Sequence, residues 1–291
     1  MPNIKLAKVT LIGLVLVIVV WTRAESARQS DKLKDLEHKA ALQPGNAALQ
    51  SQLGVAYFYK ARLGDAQAVD RAIGILQQAA AAVPAEPDSA RWLGLSYLVK
   101  VSLLSRSGAA PGEVVAAAQH AAQAFESVLE RSPKDALALS SHGFALTIEA
   151  GFKRSPDLFT KGVGEMNQAV SVDPSDINPR LLRAFAILNF PVPFRDLKAA
   201  RDDLTTILKG VPAGYNDRAA AVLHVYLGDV YTESREPALA RAEYEVAAGM
   251  HEPGAEVARA RLAAMEQGQP GPDDIQRYRA SANNCTVCHS K

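Results

Sequence analysis

Residues 221–254 read AVLHVYLGDVYTESREPALARAEYEVAAGMHEPG. Leu227, Gly228 and Tyr231 fall at helical spacing, Ala240, Tyr244 and Ala247 at the same spacing on a second helix, and Pro253 closes that helix. The spacing predicts two antiparallel helices joined by a tight turn. Gly228 and Ala240 are small where the two helices must approach. Tyr231 and Tyr244 are large and are expected to fill the gap towards the following pair. One such pair cannot bury its own apolar face, so it requires neighbours.

The same order of small and bulky residues recurs upstream. The small residue of the first helix is Gly54, Gly94, Gly143, Ala184 and then Gly228. The small residue of the second helix is Ala72, Ala121, Gly162, Ala200 and Ala240, and the bulky residue one turn later is Leu76, Phe125, Met166, Leu204 and Tyr244. Prolines end the second helices at Pro84, Pro133, Pro174, Pro212 and Pro253, and Leu36, Ala40 and Pro44 form a preceding half-unit. The step from proline to the next small residue is held from Pro44 to Gly54, Pro84 to Gly94, Pro133 to Gly143, Pro174 to Ala184 and Pro253 to Ala263; only Pro212 to Gly228 departs. The separation inside a pair varies, from Gly228–Ala240 to the much longer Gly94–Ala121. Packing between pairs is therefore expected to be constant while the turn within a pair grows.

On these residues the chain resembles the tetratricopeptide-repeat family over residues 30–267, a repeat of about 34 residues. The resemblance implies an all-α fold: a tetratricopeptide-type α-solenoid of about five helix pairs with flanking helices. It also implies a groove that binds a peptide or protein segment. Three regions follow: residues 1–24, a signal anchor or signal peptide; residues 25–267, the solenoid; and residues 268–291, a linker and tail.

The net charge of +1 leaves no basic stripe for nucleic acid. There is no glycine-rich phosphate loop, no nucleophile elbow and no constellation for hydrolysis or group transfer, so the chain is not read as an enzyme. Lys5 and Lys8 precede the uncharged run VTLIGLVLVIVVW at residues 9–21. That is an export segment. Retained, it is a single inner-membrane anchor, with the lysines cytoplasmic and the rest of the chain in the bacterial periplasm. Cleaved, it leaves a secreted periplasmic protein.

Further expectations follow along the chain. Asn46 caps the helix after Pro44-Gly45. Tyr57, Phe58 and Tyr59 are consecutive and cannot all face one core, so at least one faces a groove or a turn. A turn lies near residues 107–112, and a break at Arg154-Ser155-Pro156. Pro191 and Pro193 forbid a continuous helix over residues 189–194, where Phe190 and Phe194 either mark a partner contact or fold back onto the loop.

The chemistry is concentrated at the end. Cys285-Thr286-Val287-Cys288-His289 is a C-x-x-C-H sequence, and it holds the chain's only two cysteines. It resembles the attachment motif of c-type cytochromes over these residues. The resemblance implies one covalent haem c, with Cys285 and Cys288 each bonded to a vinyl group and His289 an axial iron ligand. A redox dithiol or a zinc site are the alternatives for the same residues. The sixth ligand is unassigned; Met265, Met250 and His251 are the nearest upstream candidates. Arg277 and Arg279 are placed to meet haem propionates, and His38, His120, His142 and His224 are read as structural. Residues 268–284 reach roughly 50 Å if extended at about 3.3 Å per residue. The expected function is electron transfer, or an accessory role in a redox complex docked on the helices. The alternative is a protein-binding scaffold or cytochrome assembly factor without a redox role.

Overall fold

The computed structural model describes residues 23–62, 65–210, 217–250 and 254–268. These residues are all-α. Twelve helices follow in order: α1 (Arg23–Leu42), α2 (Ala47–Arg62), α3 (Ala66–Ala82), α4 (Pro87–Ser107), α5 (Pro111–Leu129), α6 (Ala136–Lys153), α7 (Pro156–Val172), α8 (Ile177–Asn189), α9 (Leu197–Gly210), α10 (Asp217–Glu233), α11 (Pro237–Ala248) and α12 (Gly254–Glu266). A short 3-10 turn, Val192–Phe194, separates α8 from α9. No helix among the described residues is long and apolar enough to cross a membrane; the apolar run at residues 9–21 lies outside them.

The described residues divide into two compact units, 23–182 and 183–268, with the division inside α8. In the first, α2 packs on α3, α4 on α5 and α6 on α7, while α3 meets α4, and α5 meets α6. In the second, α10 packs on α9, α11 and α12.

What brings α2 to α3, α4 to α5, α6 to α7 and α10 to α11 is the missing side chain of a glycine. A Cβ added at Gly54 would stand 2.5 Å from Leu76 Cγ, and one at Gly94 would stand 2.7 Å from Phe125 Cζ. At Gly228 it would run into the Tyr244 ring. Gly143 and Gly162 face each other, so a Cβ on either would collide with the other's carbonyl oxygen. Ala72, Ala121, Ala200 and Ala240 are fully buried, and so are Leu76, Phe125, Met166 and Tyr244. The small and bulky positions read from the sequence in these pairs are thus contact points; Ala263 is not, being exposed on α12, whose buried small residues are Ala255 and Ala258. One expectation is corrected: Tyr244 fills the space opposite Gly228 in its own pair, because the glycine leaves its gap there. Tyr231 is half-buried against the cluster of Val225, Ala240, Tyr244, Ala247 and Ala258.

The turn within a pair grows between α8 and α9, over residues 190–196, but not in α4–α5, the pair with the widest spacing. The α4–α5 connection is only residues 108–110, with Gly108 left-handed at φ 71°. The extra residues between Gly94 and Ala121 lengthen the helices instead, to 21 residues in α4 and 19 in α5. Each added residue in a helix gains a backbone hydrogen bond, which an extended loop would have to find elsewhere.

Local capping follows the sequence. Asn46 Oδ1 accepts from Leu49 N at 3.1 Å, Asp65 Oδ1 from Ala68 N at 3.0 Å and Asp135 Oδ1 from Ala138 N at 2.8 Å. The break at Arg154 is a left-handed residue (φ 53°) ahead of Ser155, which caps α7. Helix α1 is mostly polar, and over residues 31–42 it buries only Leu36 and Ala40, which suits it to close one end of the first unit. Helix α6 is the opposite, buried from Ala138 to Ala150 without interruption.

Replacing Gly94 by Ala should lower the thermal midpoint, at a cost of about 1–3 kcal/mol, because the buried Phe125 ring cannot withdraw. Gly74→Ala and Gly164→Ala meet nothing within 4 Å. They should raise stability by about 0.5–1 kcal/mol each, as helix-interior glycines do. Equal losses at all three sites in thermal melts would remove close approach as the cause.

Glu149 supplies a pH prediction. Burial opposes its ionisation, but bonds from Lys153 and Gln119 outweigh burial and hold its carboxyl below the usual glutamate range. A depressed carboxyl stabilises the fold above its unfolded value, about 4.3, and loses that contribution as pH falls through its folded value. Glu149→Gln should therefore narrow the gap between melting temperatures measured at pH 7 and in this acid range.

Candidate functional site

The first unit carries an open groove of about 1010 Å³. Its floor is one face of α2: Ala48, Ser51, Gln52, Val55, Ala56 and Tyr59, at spacings of three and four. Lys32, Leu33 and Leu36 of α1 form one wall; Asp88, Ser89 and Trp92 of α4 form the other, with Ala79 and Val83 from the end of α3. The three consecutive aromatics separate as their spacing requires. Tyr57 and Phe58 are buried, while Tyr59 is half-buried in the groove. Tyr59 lies 5.8 Å from the Trp92 ring and Phe58 lies 5.2 Å from it, so one aromatic cluster ties α2 to α4 and forms part of the wall. Beneath it Tyr57 donates to Glu37 of α1 and accepts from Arg71 of α3 at 2.9 Å. Burial, first, and the Glu37 carboxylate, second, push the Tyr57 hydroxyl pKa up, so it remains a donor.

Polar pairs at the helix crossings fix the register. Glu165, Asp203 and Glu243 each stand immediately before a bulky residue, and each pairs with a base on the partner helix. His142 Nδ1 lies 2.5 Å from Glu165, His224 Nδ1 lies 2.6 Å from Glu243, and Arg183 holds Asp203 through two bonds of 2.8 Å. His120 stacks on Tyr97 at 5.0 Å, and His38 is exposed. The reading of His120, His142 and His224 as structural fits their placement. Their acidic partners were missed in the sequence, although their constant position before Met166, Leu204 and Tyr244 was a signal.

In the second unit, Phe190 is buried, as a phenylalanine folded back onto the loop would be, and Phe194 is 59% exposed. Arg195 donates to the Phe190 carbonyl at 2.6 Å and to Glu233 at 2.6 Å, which clamps that loop to the end of α10.

The tail motif, Cys285, Cys288 and His289, lies outside the described residues, as do His251, Arg277 and Arg279. Its donor set, two thiols and one imidazole, fits a covalently held haem. Met265 is half-buried against Val225, Ala240, Tyr244, Ala247 and Ala258, and Met250 is half-buried after α11. Among the described residues no three His, Cys, Asp or Glu side chains converge on a metal-sized site.

The helix from which the tail departs is tightly held. Arg261 of α12 donates to Asp229 of α10 at 3.1 Å, and Tyr244 of α11 donates to the same carboxylate at 2.8 Å. Thr232 meets the Tyr244 hydroxyl at 3.1 Å. All four side chains are buried. Burial and the Asp229 charge push the Tyr244 pKa far above its ordinary value.

No protein-family model matches this chain, and no curated protein matches it either.

Removing one partner of this buried pair leaves an uncompensated charge, which costs about 3–5 kcal/mol. Asp229→Ala should therefore loosen α12. Hydrogen exchange should rise first in residues 255–266, while α2–α5 keep their protection. Unchanged protection of α12 would remove Asp229 as its anchor.

Proposed function

We propose that this chain is an exported, membrane-anchored tetratricopeptide-type solenoid that carries one covalent haem c on its tail and docks a redox partner on its helices. The observation that carries the reading is the C-x-x-C-H sequence at residues 285–289, in a chain that opens with an export segment. Attachment of haem c takes place outside the bacterial cytoplasm, so the two features belong to one route. The glycine-to-bulky contacts in pairs α2–α3, α4–α5, α6–α7 and α10–α11 support the repeat reading.

In this reading Cys285 and Cys288 would hold the haem through thioether bonds, each thiol adding its S–H across a vinyl group, and His289 would ligate the iron. The bound group would supply a one-electron couple. The apolar segment keeps the helices at the inner membrane, facing the periplasm.

A second reading, a scaffold or assembly factor without a redox role, is favoured by the groove over α2, which is present whatever the tail carries.

Full-length protein matured in a host with haem-attachment machinery should be red, give a pyridine haemochrome spectrum of the c type, and gain about one haem mass. Cys285→Ala/Cys288→Ala should abolish both. Apo mass and no colour from the competent host would overturn the haem reading. Full cellular function of the double variant would leave the scaffold reading.

A further inference from the structure

We propose that the groove over α2 receives a single amphipathic helix from a partner protein, running antiparallel to α2, with acidic residues in its first turn and basic residues in its last. This deepens the docking half of the proposed function and rests on it, but does not depend on iron in the tail.

The form of the occupant follows from the walls. All four bounding elements are helices, whose backbone donors and acceptors are internally paired. An extended segment would bring a row of unpaired backbone groups, and the groove offers only scattered side chains such as Ser51, Gln52 and Ser89 to meet them. A helix brings its backbone already satisfied and needs only apolar contact at i, i+3, i+4 and i+7. Leu33, Val55, Tyr59 and Trp92 are half-buried and supply that contact. At about 1010 Å³ the space is at the upper limit for small-molecule pockets. Ala47 to Lys60, at about 1.5 Å per residue, gives a run of roughly 20 Å.

Its direction follows from charge. Gln50 reaches the Ala40 carbonyl at 3.3 Å and Tyr57 reaches Glu37, so α1 runs antiparallel to α2. Lys32 therefore lies near Lys60, at the C-terminal end of α2. Val83 and the turn after it lie at the opposite end and carry Glu86 and Asp88. Lys60 also pairs with Asp65, and Asp88 with Arg91, but neither of those partners lines the groove. The groove is thus basic at one end and acidic at the other. A helix with acids at its N-terminus and bases at its C-terminus matches both ends, and its own macrodipole favours the same arrangement.

The test uses two hydrocarbon-stapled helices of about 14 residues with leucines at i, i+3, i+4 and i+7. One has Glu in its first turn and Lys in its last; the other has the charges exchanged. The chain has two tryptophans, so detergent-solubilised full-length Trp21→Phe protein reports from Trp92 alone. The acid-first helix should shift Trp92 emission saturably, and the exchanged helix should bind about tenfold more weakly. Lys32→Glu/Lys60→Glu leaves both ends of the groove acidic and should abolish that preference while leaving the melting curve in place. Equal binding of both helices, or saturable binding of neither, overturns the proposal. Self-association in sedimentation that the acid-first helix fails to relieve would assign the groove to a second copy, and overturns it too. Red protein that binds neither helix would refute this inference alone; colourless protein that binds as expected would refute only the haem reading.

Discussion

Everything in the described structure depends on helices coming closer than side chains ordinarily allow. At Gly54, Gly94 and Gly228 the absence of a Cβ lets a bulky residue of the partner helix lie against backbone. At Gly143 and Gly162 two backbones meet directly. Close approach makes dispersion contacts dense and fixes where along its length each helix is crossed. With the crossing points fixed, the faces that remain are fixed as well. The α2 face carrying Val55 and Tyr59 is left open because α2 has already spent its opposite face on Leu76.

The two units add polar pairing to this contact in different measure. The first relies on aromatic and aliphatic packing, with Arg91 joining Asp88 and Asp135 across α4 and the α6 cap. The second places Asp203, Asp229 and Glu233 in the interior and meets each with an arginine. A buried carboxylate is tolerable only with such a partner, and the pairing is directional where apolar contact is not. Arg261 thus adds a directional anchor to the apolar contacts that Ala255 and Ala258 give α12. That matters because the residues beyond α12 hold all the chain's thiols.

The small and bulky positions were legible in the sequence because each is a property of one residue recurring at a fixed step. The cap at Asn46 and the break at Arg154 were legible for the same local reason. What escaped notice depends on two segments at once. Pairs such as His142–Glu165 are set by the crossing of two helices, which periodicity along one helix does not reveal. The lengthened α4 and α5 were expected as a longer turn because spacing counts residues without saying whether they stay helical. The groove was foreshadowed only by Tyr57-Phe58-Tyr59, three rings that no single face could absorb. The tail motif was the plainest chemical signal in the sequence, and it remains a sequence signal.

The lengthening of α4 and α5 has one more outcome. A hairpin about one turn longer than its neighbours carries its tip, Ser107 to Gly112, clear of the core, and that tip is mostly exposed. Such a tip is the natural place to splice in a fluorescent domain or an affinity handle. It would label the protein without touching either the groove or the thiols.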